Sequence, residues 1–346
     1  MTMNLIGENM ENSNLSILGA GFACIDVIRL QKKDTVMLGG TAANVLTIMS
    51  QLGLKTEFLT ARYYGQSGRF IESAFVNRGV KCISFANTKN QTPIIIEELE
   101  HGKHFFLSTC PKCGRNMVKC NLPTLSQITK VEKQYNNHPN IFFFDRISEG
   151  IRECARRNKN GWNVYEPNTC RMYSNLLSGI RVANIVKYSE DRIPAKITDN
   201  VIRDIRNTNV VLLIVTMGDR GIKYAYRTET GEFSDWNYIM AEPIDKVMDS
   251  SGSGDWLTAV FLYLLLKKYP NYVAHLDGQY VEQALVEAQR YAAQNCSFIG
   301  AQGMLKERRI VDKINCELDR NIEMVCDPKI NWRYDCDYCF SEHINE

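Results

Sequence analysis

The chain carries no surplus of charge of either sign: 41 Lys and Arg stand against 39 Asp and Glu, a net of +2. That balance leaves no global electrostatic footprint for a polyanion, and no nucleic-acid partner is expected. No apolar stretch approaches the roughly 20 residues that cross a bilayer, so no membrane partner is expected either. The amino terminus, Met1-Thr2-Met3-Asn4-Leu5-Ile6-Gly7-Glu8, lacks the basic-then-apolar order of a secretory signal, and a cytoplasmic location is expected. Neither an internal repeat nor a low-complexity segment occurs, which excludes a repeat array. Cysteine, by contrast, is plentiful. In a reducing compartment the 12 thiols are expected to be free or metal-bound rather than paired as disulfides. With 346 residues, 45% hydrophobic and 23% charged, the chain is long enough for a sizeable core, as one large α/β domain or two smaller ones.

The most informative stretch is Met248-Asp249-Ser250-Ser251-Gly252-Ser253-Gly254-Asp255, followed by the apolar run from Trp256 to Leu266. That run contains no Gly or Pro and is long enough for a buried helix. The small residues from Ser251 to Gly254 let the backbone turn tightly at its start, where free N–H groups and the helix dipole make an anion site. Asp255 is ill suited to hold an anion there, and well placed to take a proton from whatever attacks it. The pattern points to phosphoryl transfer, with the backbone of Gly252, Ser253 and Gly254 stabilising charge and Asp255 as general base. The plainer reading is that Asp249 or Ser250 caps a core helix and the glycines only turn the chain.

The full order Asp-Ser-x-Gly-Ser-Gly-Asp resembles the second signature of the ribokinase-like (PfkB-type) carbohydrate kinases, Asp-Thr-x-Gly-Ala-Gly-Asp, with Ser250 for the threonine and Ser253 for the alanine. Leu38-Gly39-Gly40-Thr41-Ala42-Ala43-Asn44, which opens a helix ending near Gly53, is similar to the family's first signature, Gly-Gly-x-x-x-Asn. Paired glycines let a ligand approach the backbone, and Asn44 offers both a donor and an acceptor. Where that signature has a later glycine this chain has Tyr63, with Gly65 two residues on. The resemblance covers about residues 15–303. It implies a three-layer α/β fold: a mostly parallel central sheet, helices on both faces, and a small β lid from segments near 27–38 and 92–109. It also implies transfer of the γ-phosphoryl of ATP to a hydroxyl of a sugar or sugar-like acceptor, with Mg²⁺ bridging the phosphates. Asp26, Gly39, Gly40 and Asn44 would hold the acceptor, and Ser250 would lie at the nucleotide. A nucleoside acceptor and a catalytically weak metabolite sensor are the alternatives. The lid edge of relatives often pairs with a second subunit, which implies a homodimer through the lid unless the tail crowds that edge.

Taken in order, the chain alternates apolar runs with helical segments. Leu15 to Ile28 begins as a buried strand and runs into a small-residue turn, with Asp26 as a lone carboxylate. Such a group needs hydrogen-bond partners, which acceptor hydroxyls could supply; the bland alternative is a strand-end aspartate facing water. Thr92–Leu99 and His104–Leu107 around a Gly-containing turn read as a hairpin. Ile141–Phe144, Trp162–Tyr165, Val182–Lys187 and Val210–Thr216 read as strands ending in polar residues, with a helix over Ile151–Arg157. This is the rhythm of βαβ units, whose ligands bind at the carboxyl ends of strands. Arg146 is thus a candidate substrate contact. By the same logic and by resemblance, Asn168, Lys187, Thr216, Gly218 and Gly221 are candidates for the nucleotide. One departure stands out. Where many relatives carry Asn-x-x-Glu to order water around magnesium, Ser189 and Arg192 occupy those places, with Glu190 and Asp191 between them. Further strands are expected at Ile222–Tyr226 and Trp236–Met240, and a helix over Val281–Phe298.

Cys110-Pro111-Lys112-Cys113-Gly114 has the look of a zinc-knuckle turn, and Cys336-Asp337-Tyr338-Cys339 is a second C-x-x-C. Two such pairs complete one tetrahedral site, and the loop closure this requires grows slowly with length. A structural Zn²⁺ on Cys110, Cys113, Cys336 and Cys339 would tether the Cys-rich appendage 306–346 to the lid region; independent thiols and a redox motif are the alternatives. Residues 1–14 are expected to fray and 15–305 to form the kinase domain.

Overall fold

The computed structural model describes residues 15–30, 33–86, 91–100, 103–168, 173–193, 195–318 and residue 328. Its strands are, along the chain, β1 (Ser16–Ala20), β2 (Cys24–Leu30), β3 (Lys33–Gly39), β4 (Lys55–Ala61), β5 (Val80–Phe85), β6 (Ile94–Glu100), β7 (Lys103–Leu107), β8 (Ile141–Phe144), β9 (Trp162–Tyr165), β10 (Ile185–Ser189), β11 (Leu212–Thr216), β12 (Ile222–Tyr226) and β13 (Asn237–Ile239). Nine of them form one sheet in the order β13-β12-β11-β10-β9-β8-β1-β4-β5. The seven from β11 to β5 are parallel, and β12 and β13 add an antiparallel edge. Parallel strands are buried on both faces, which is why they read as unbroken apolar runs. The period of two divides them between two cores. Ile141 and Phe143 of β8 enter one cluster, Phe142 and Phe144 the other; Leu212 and Ile214 of β11 part from Leu213 and Val215 in the same way.

Helices cover each core. On one face lie α1 (Thr41–Gln51) and α2 (Gly65–Val76), with α7 (Ser253–Lys268), α8 (Gly278–Asn295) and α9 (Arg308–Leu318), the last seating Val311 and Ile314. On the other lie α3 (Leu125–Val131), α4 (Glu149–Arg157), α5 (Tyr173–Ile180) and α6 (Ala195–Asp204). Every residue of α7 from Asp255 to Leu266 is buried. A helix apolar all round belongs in a core.

A second sheet, β3-β2-β6-β7, forms the lid. The run from Leu15 to Ile28 begins as a strand and turns, as its small residues indicate, and a second strand follows the turn. The chain leaves the central sheet after Ala20 and enters the lid at Cys24, so β2 and β3 make a full hairpin of seven residues each. β2 pairs in parallel with β6, and Ile25, Val27, Leu38, Ile94 and Ile96 join the core beneath. The β6–β7 hairpin forms as the sequence indicates, its turn at 101–102 lying outside the described residues.

Candidate active site

The site is built where α7 begins. Gly252 reverses the chain at φ +77°, in the left-handed region, and a Cβ there would overlap Ala301. The helix has no side-chain cap. Asp249 is fully buried and accepts instead from Ser251 N at 2.6 Å and Gly300 N at 2.7 Å, while Ser250 is exposed. The turn is thus braced by the segment after α8 rather than capped, with Asn295 Nδ2 donating to Ser251 O at 3.0 Å and Trp256 Nε1 to Ala301 O at 3.0 Å. First-turn N–H groups have no preceding helical carbonyl. That of Ser253 makes a long bond, 3.3 Å, to Ser250 O.

Asp255 is 9% exposed, and its Oδ2 accepts from Asn44 Nδ2 at 2.7 Å. Burial pushes its carboxyl up to about 7; the Glu166 and Asp145 charges act in the same direction, while the Asn44 hydrogen bond and Lys187 oppose them. Asn44 stands on the first turn of α1, whose start is set by two close approaches. At Gly40, φ +95°, a Cβ would come within 2.6 Å of Phe22 O; at Gly39 it would overlap the Asp26 carboxylate. Asp26, on β2, is not alone. It accepts from Cys24 Sγ at 3.0 Å, and burial holds its carboxyl well above the usual range, helped by the charges of Glu97, Asp255 and Asp249. Glu97, on β6, is buried and accepts from Ser251 Oγ at 3.2 Å, so the lid touches the Gly252 turn. Asp145 follows β8. Burial raises it to about 6, with Phe22 N donating to Oδ1 at 2.9 Å and Arg146 Nη1 standing 3.7 Å from Oδ2. Arg146 itself folds back over the Phe22 ring, 5.2 Å from its centroid.

The neighbouring strand ends carry charges of both signs, mostly paired. Lys187 of β10 is buried in an ion pair with Glu166 and donates to Gly254 O at 3.0 Å; Thr258 Oγ1 donates to Glu166 Oε2 at 2.6 Å. Asn168 bridges two elements, donating to Thr41 Oγ1 at 3.2 Å and accepting from Arg192 Nη1 at 2.6 Å. Glu190 pairs with Arg220, and Asp191 is exposed. Thr216, Gly218 and Gly221 form the β11–β12 turn, closed by Met217 N to Gly221 O at 2.8 Å and joined to β10 through Glu190 N to Thr216 O at 3.1 Å. Among the described residues, no hydrogen bond links that turn directly to the start of α7.

Glu166, in the turn Glu166-Pro167-Asn168 that resembles the family's Asp-x-Asn turn near the phosphates, is joined by four residues that carry no assignment on sequence: Glu97, Asp145, Arg78 and Gln302. Adjacent Glu97 and Glu98 in a strand signal that one points inward, since successive side chains face opposite ways. Gln302 has no such signal. Of the four zinc candidates, Cys110 is buried in the core and Cys113 exposed, on a turn closed by Gly114 N to Cys110 O at 2.9 Å. Cys336 and Cys339 lie outside the described residues. Among the described residues no group of three or more His, Cys, Asp or Glu is placed to hold a metal ion, and no helix is long and apolar enough to cross a membrane.

No family profile and no curated protein sequence matches the chain. Solved structures do. A fructokinase with bound ATP from Xylella fastidiosa aligns at TM-score 0.70 and 20% identity, covering 88% of this chain and 99% of that one. The ribokinase of Giardia lamblia aligns at 0.67 and 14%, covering 87% and 99%. The aminoimidazole riboside kinase of Salmonella enterica, complexed with aminoimidazole riboside and an ATP analogue, aligns at 0.61 and 18%, covering 88% and 99%. The chain has the ribokinase-like fold.

Proposed function

We propose that the protein is an ATP-dependent kinase that phosphorylates a hydroxyl of a sugar or sugar-like small molecule. The observation that carries this reading is Asp255: a buried carboxylate, poised to titrate at about 7, beside an uncapped helix N-terminus. A base whose pKa lies near the working pH is both available and strong enough to take a hydroxyl proton in the transition state. The acceptor O–H gives its proton to Asp255 as its oxygen bonds to the γ-phosphorus. The bond from that phosphorus to the β–γ bridging oxygen breaks, and its electron pair leaves with ADP. Backbone N–H groups of Gly252, Ser253 and Gly254 would meet the charge on the transferring group. Asp26, Gly39, Gly40, Asn44 and Arg146 would line the acceptor end. Asn168, Lys187, Thr216, Gly218, Gly221 and Ser250 would line the nucleotide end, where Lys187 and Arg192 suit polyphosphate.

Mg²⁺ keeps several waters and takes ligands largely from phosphates. The residues present fit an ion carried on the nucleotide rather than one held by the protein, since Glu166 is engaged by Lys187 and Thr258, and Glu190 by Arg220. When bound, the ion neutralises charge on the phosphates. A lid-edge homodimer is part of the proposal. Phe105 and Phe106, each 49% exposed on the edge strand β7 and pointing to opposite faces of it, would flank the contact. The zinc tether is also part of it: one equivalent of Zn²⁺ in the purified protein supports it, and none removes it.

The decisive experiment is ATP consumption with Mg²⁺ across sugars, sugar acids and nucleosides, beside Asp255→Asn. One acceptor turned over by the wild type, with a loss of about 10²–10⁴-fold in the variant, is expected; near-wild-type turnover in Asp255→Asn refutes the assignment. A second reading, a metabolite sensor, is favoured by Arg192 standing where the resemblance implies a glutamate. Calorimetric binding of nucleotide and acceptor without turnover supports that reading.

A further inference from the structure

Arg78 follows α2 and is fully buried. A guanidinium out of water must have acceptors, and it finds Ala74 O at 2.9 Å from Nη1 and Gln302 Oε1 at 2.7 Å from Nε. Arginine only donates, so the Gln302 atom facing it is the oxygen. The other end of that amide faces Asn44 Oδ1 at 2.9 Å and the carbonyl of Leu38 at 3.3 Å. A carbonyl only accepts, so this end is the nitrogen by an independent criterion. Asn44 Oδ1 is thereby committed as acceptor, and Asn44 Nδ2 as donor to Asp255 Oδ2 at 2.7 Å. Each orientation follows from the one before, from an anchor that cannot be reversed, which removes the usual ambiguity of buried amides. All four side chains are at most 9% exposed.

We infer that Arg78 and Gln302 are positioning residues that act through Asn44 to keep Asp255 Oδ2 a permanent acceptor, so that Oδ1 is the oxygen that takes and releases the proton. The inference rests on the reading of Asp255 as base. A carboxylate with two equivalent oxygens offers the acceptor hydroxyl two geometries; the relay leaves one. It also opposes protonation, because a reversed Asn44 amide sets lone pair against lone pair unless Asp255 carries a proton. Asp255 is also faced by Glu166 from the end of β9, Asp145 from the end of β8 and Asp26 from β2, all acidic, and by Lys187 from β10. The amide is therefore a main counterweight to three carboxylates.

The test uses the full chain with Arg78→Met/Gln302→Leu, which removes both buried partners together and leaves no orphaned charge, and Gln302→Glu, which still satisfies Arg78 but cannot donate to Asn44. Asp255 is followed by the ¹³Cγ shift of ¹³C-aspartate-labelled protein, its signal identified by loss in Asp255→Asn. In both folded variants its midpoint is expected to rise by half a unit or more, roughly threefold or more in the proton equilibrium. The acid limb of turnover should move with it and activity recover at high pH, with the KM for ATP unchanged. An unchanged midpoint in folded Arg78→Met/Gln302→Leu overturns the inference, as does a loss of turnover equal at every pH. If Asp255→Asn retains turnover, the base reading fails, and the roles of Arg78 and Gln302 in the reaction fail with it. If Asp255→Asn is inactive while both relay variants keep the wild-type midpoint, only the relay fails.

Discussion

The two ends of the site solve opposite problems. Around Asp255 stand buried groups that are neutral or acidic, Asp26, Glu97, Asn44 and Gln302, and the last two lock Asp255 through their amides. Around the ends of β9 and β10 the charges are paired, Lys187 buried against Glu166 and Glu190 joined to Arg220, with Arg192 exposed at Asn168. The first end offers buried acceptors to hydroxyl donors; the second offers an exposed guanidinium to anions. Low dielectric enlarges every interaction at the first end, while solvent screens the exposed cation at the second.

That contrast orders the expected effects. The largest belongs to the buried ion pair. Lys187→Met leaves Glu166 charged and unpaired among Thr258 and Asp255, and should cost about 3–5 kcal/mol in urea unfolding, with much of it restored by adding Glu166→Gln. Full stability in the single variant would show that the ion pair contributes nothing net and that the two ends are not distinct.

Next comes Asp255. Its folded-state pKa is raised to about 7, above that of the unfolded chain. Between pH 4 and 7 the folded state therefore binds more protons than the unfolded one, and stability falls as pH rises through that window. Asp145, raised to about 6, acts with the same sign. Asp255→Asn removes the buried charge at constant shape and should stabilise the protein by about 1–3 kcal/mol at pH 8 and by little at pH 4. Equal effects at both pH values would mean that Asp255 titrates normally. On the proposed reading, activity of the wild type should fall as pH drops through about 7, where Asp255 becomes protonated.

The smallest effect is at the exposed cation. Arg192→Ala should leave stability within about 0.5 kcal/mol, as surface substitutions do, while raising the KM for ATP several-fold with kcat nearly unchanged. The rise should shrink in high salt, since the charge is exposed. A salt-independent change would place Arg192 inside the site rather than at its rim.

How much of this was legible depends on the range of each signal. The helix of Trp256–Leu266 and the strands at 141–144, 162–165 and 222–226 follow from local apolar runs. The Gly39-Gly40 turn and the Gly252 reversal were readable because glycine marks close approach, and the structure supplies the atoms approached: Asp26, Phe22 and Ala301. The lid strands span 24–30 and 33–39, a little beyond the segment near 27–38 that the resemblance implies, because a buried run crossing from one sheet to another keeps its composition while changing partners. Asp26 appeared solitary, since Glu97 reaches it only through the parallel pairing of β2 with β6.

What the sequence by itself determined is the set of local commitments: apolar runs that must pair or pack, glycines where a side chain cannot fit, and a carboxylate at the mouth of a helix. Those are fixed within a few residues along the chain. Tertiary structure alone decided the protonation chemistry. Asp255 titrates near 7 because it is out of water, near Glu166 and Asp145, and held by Asn44. The Arg78–Gln302–Asn44 chain behind it joins positions separated by 224 and 258 residues. A pKa and a hydrogen-bond direction are properties of surroundings, and the surroundings exist only once the sheet has brought distant segments together.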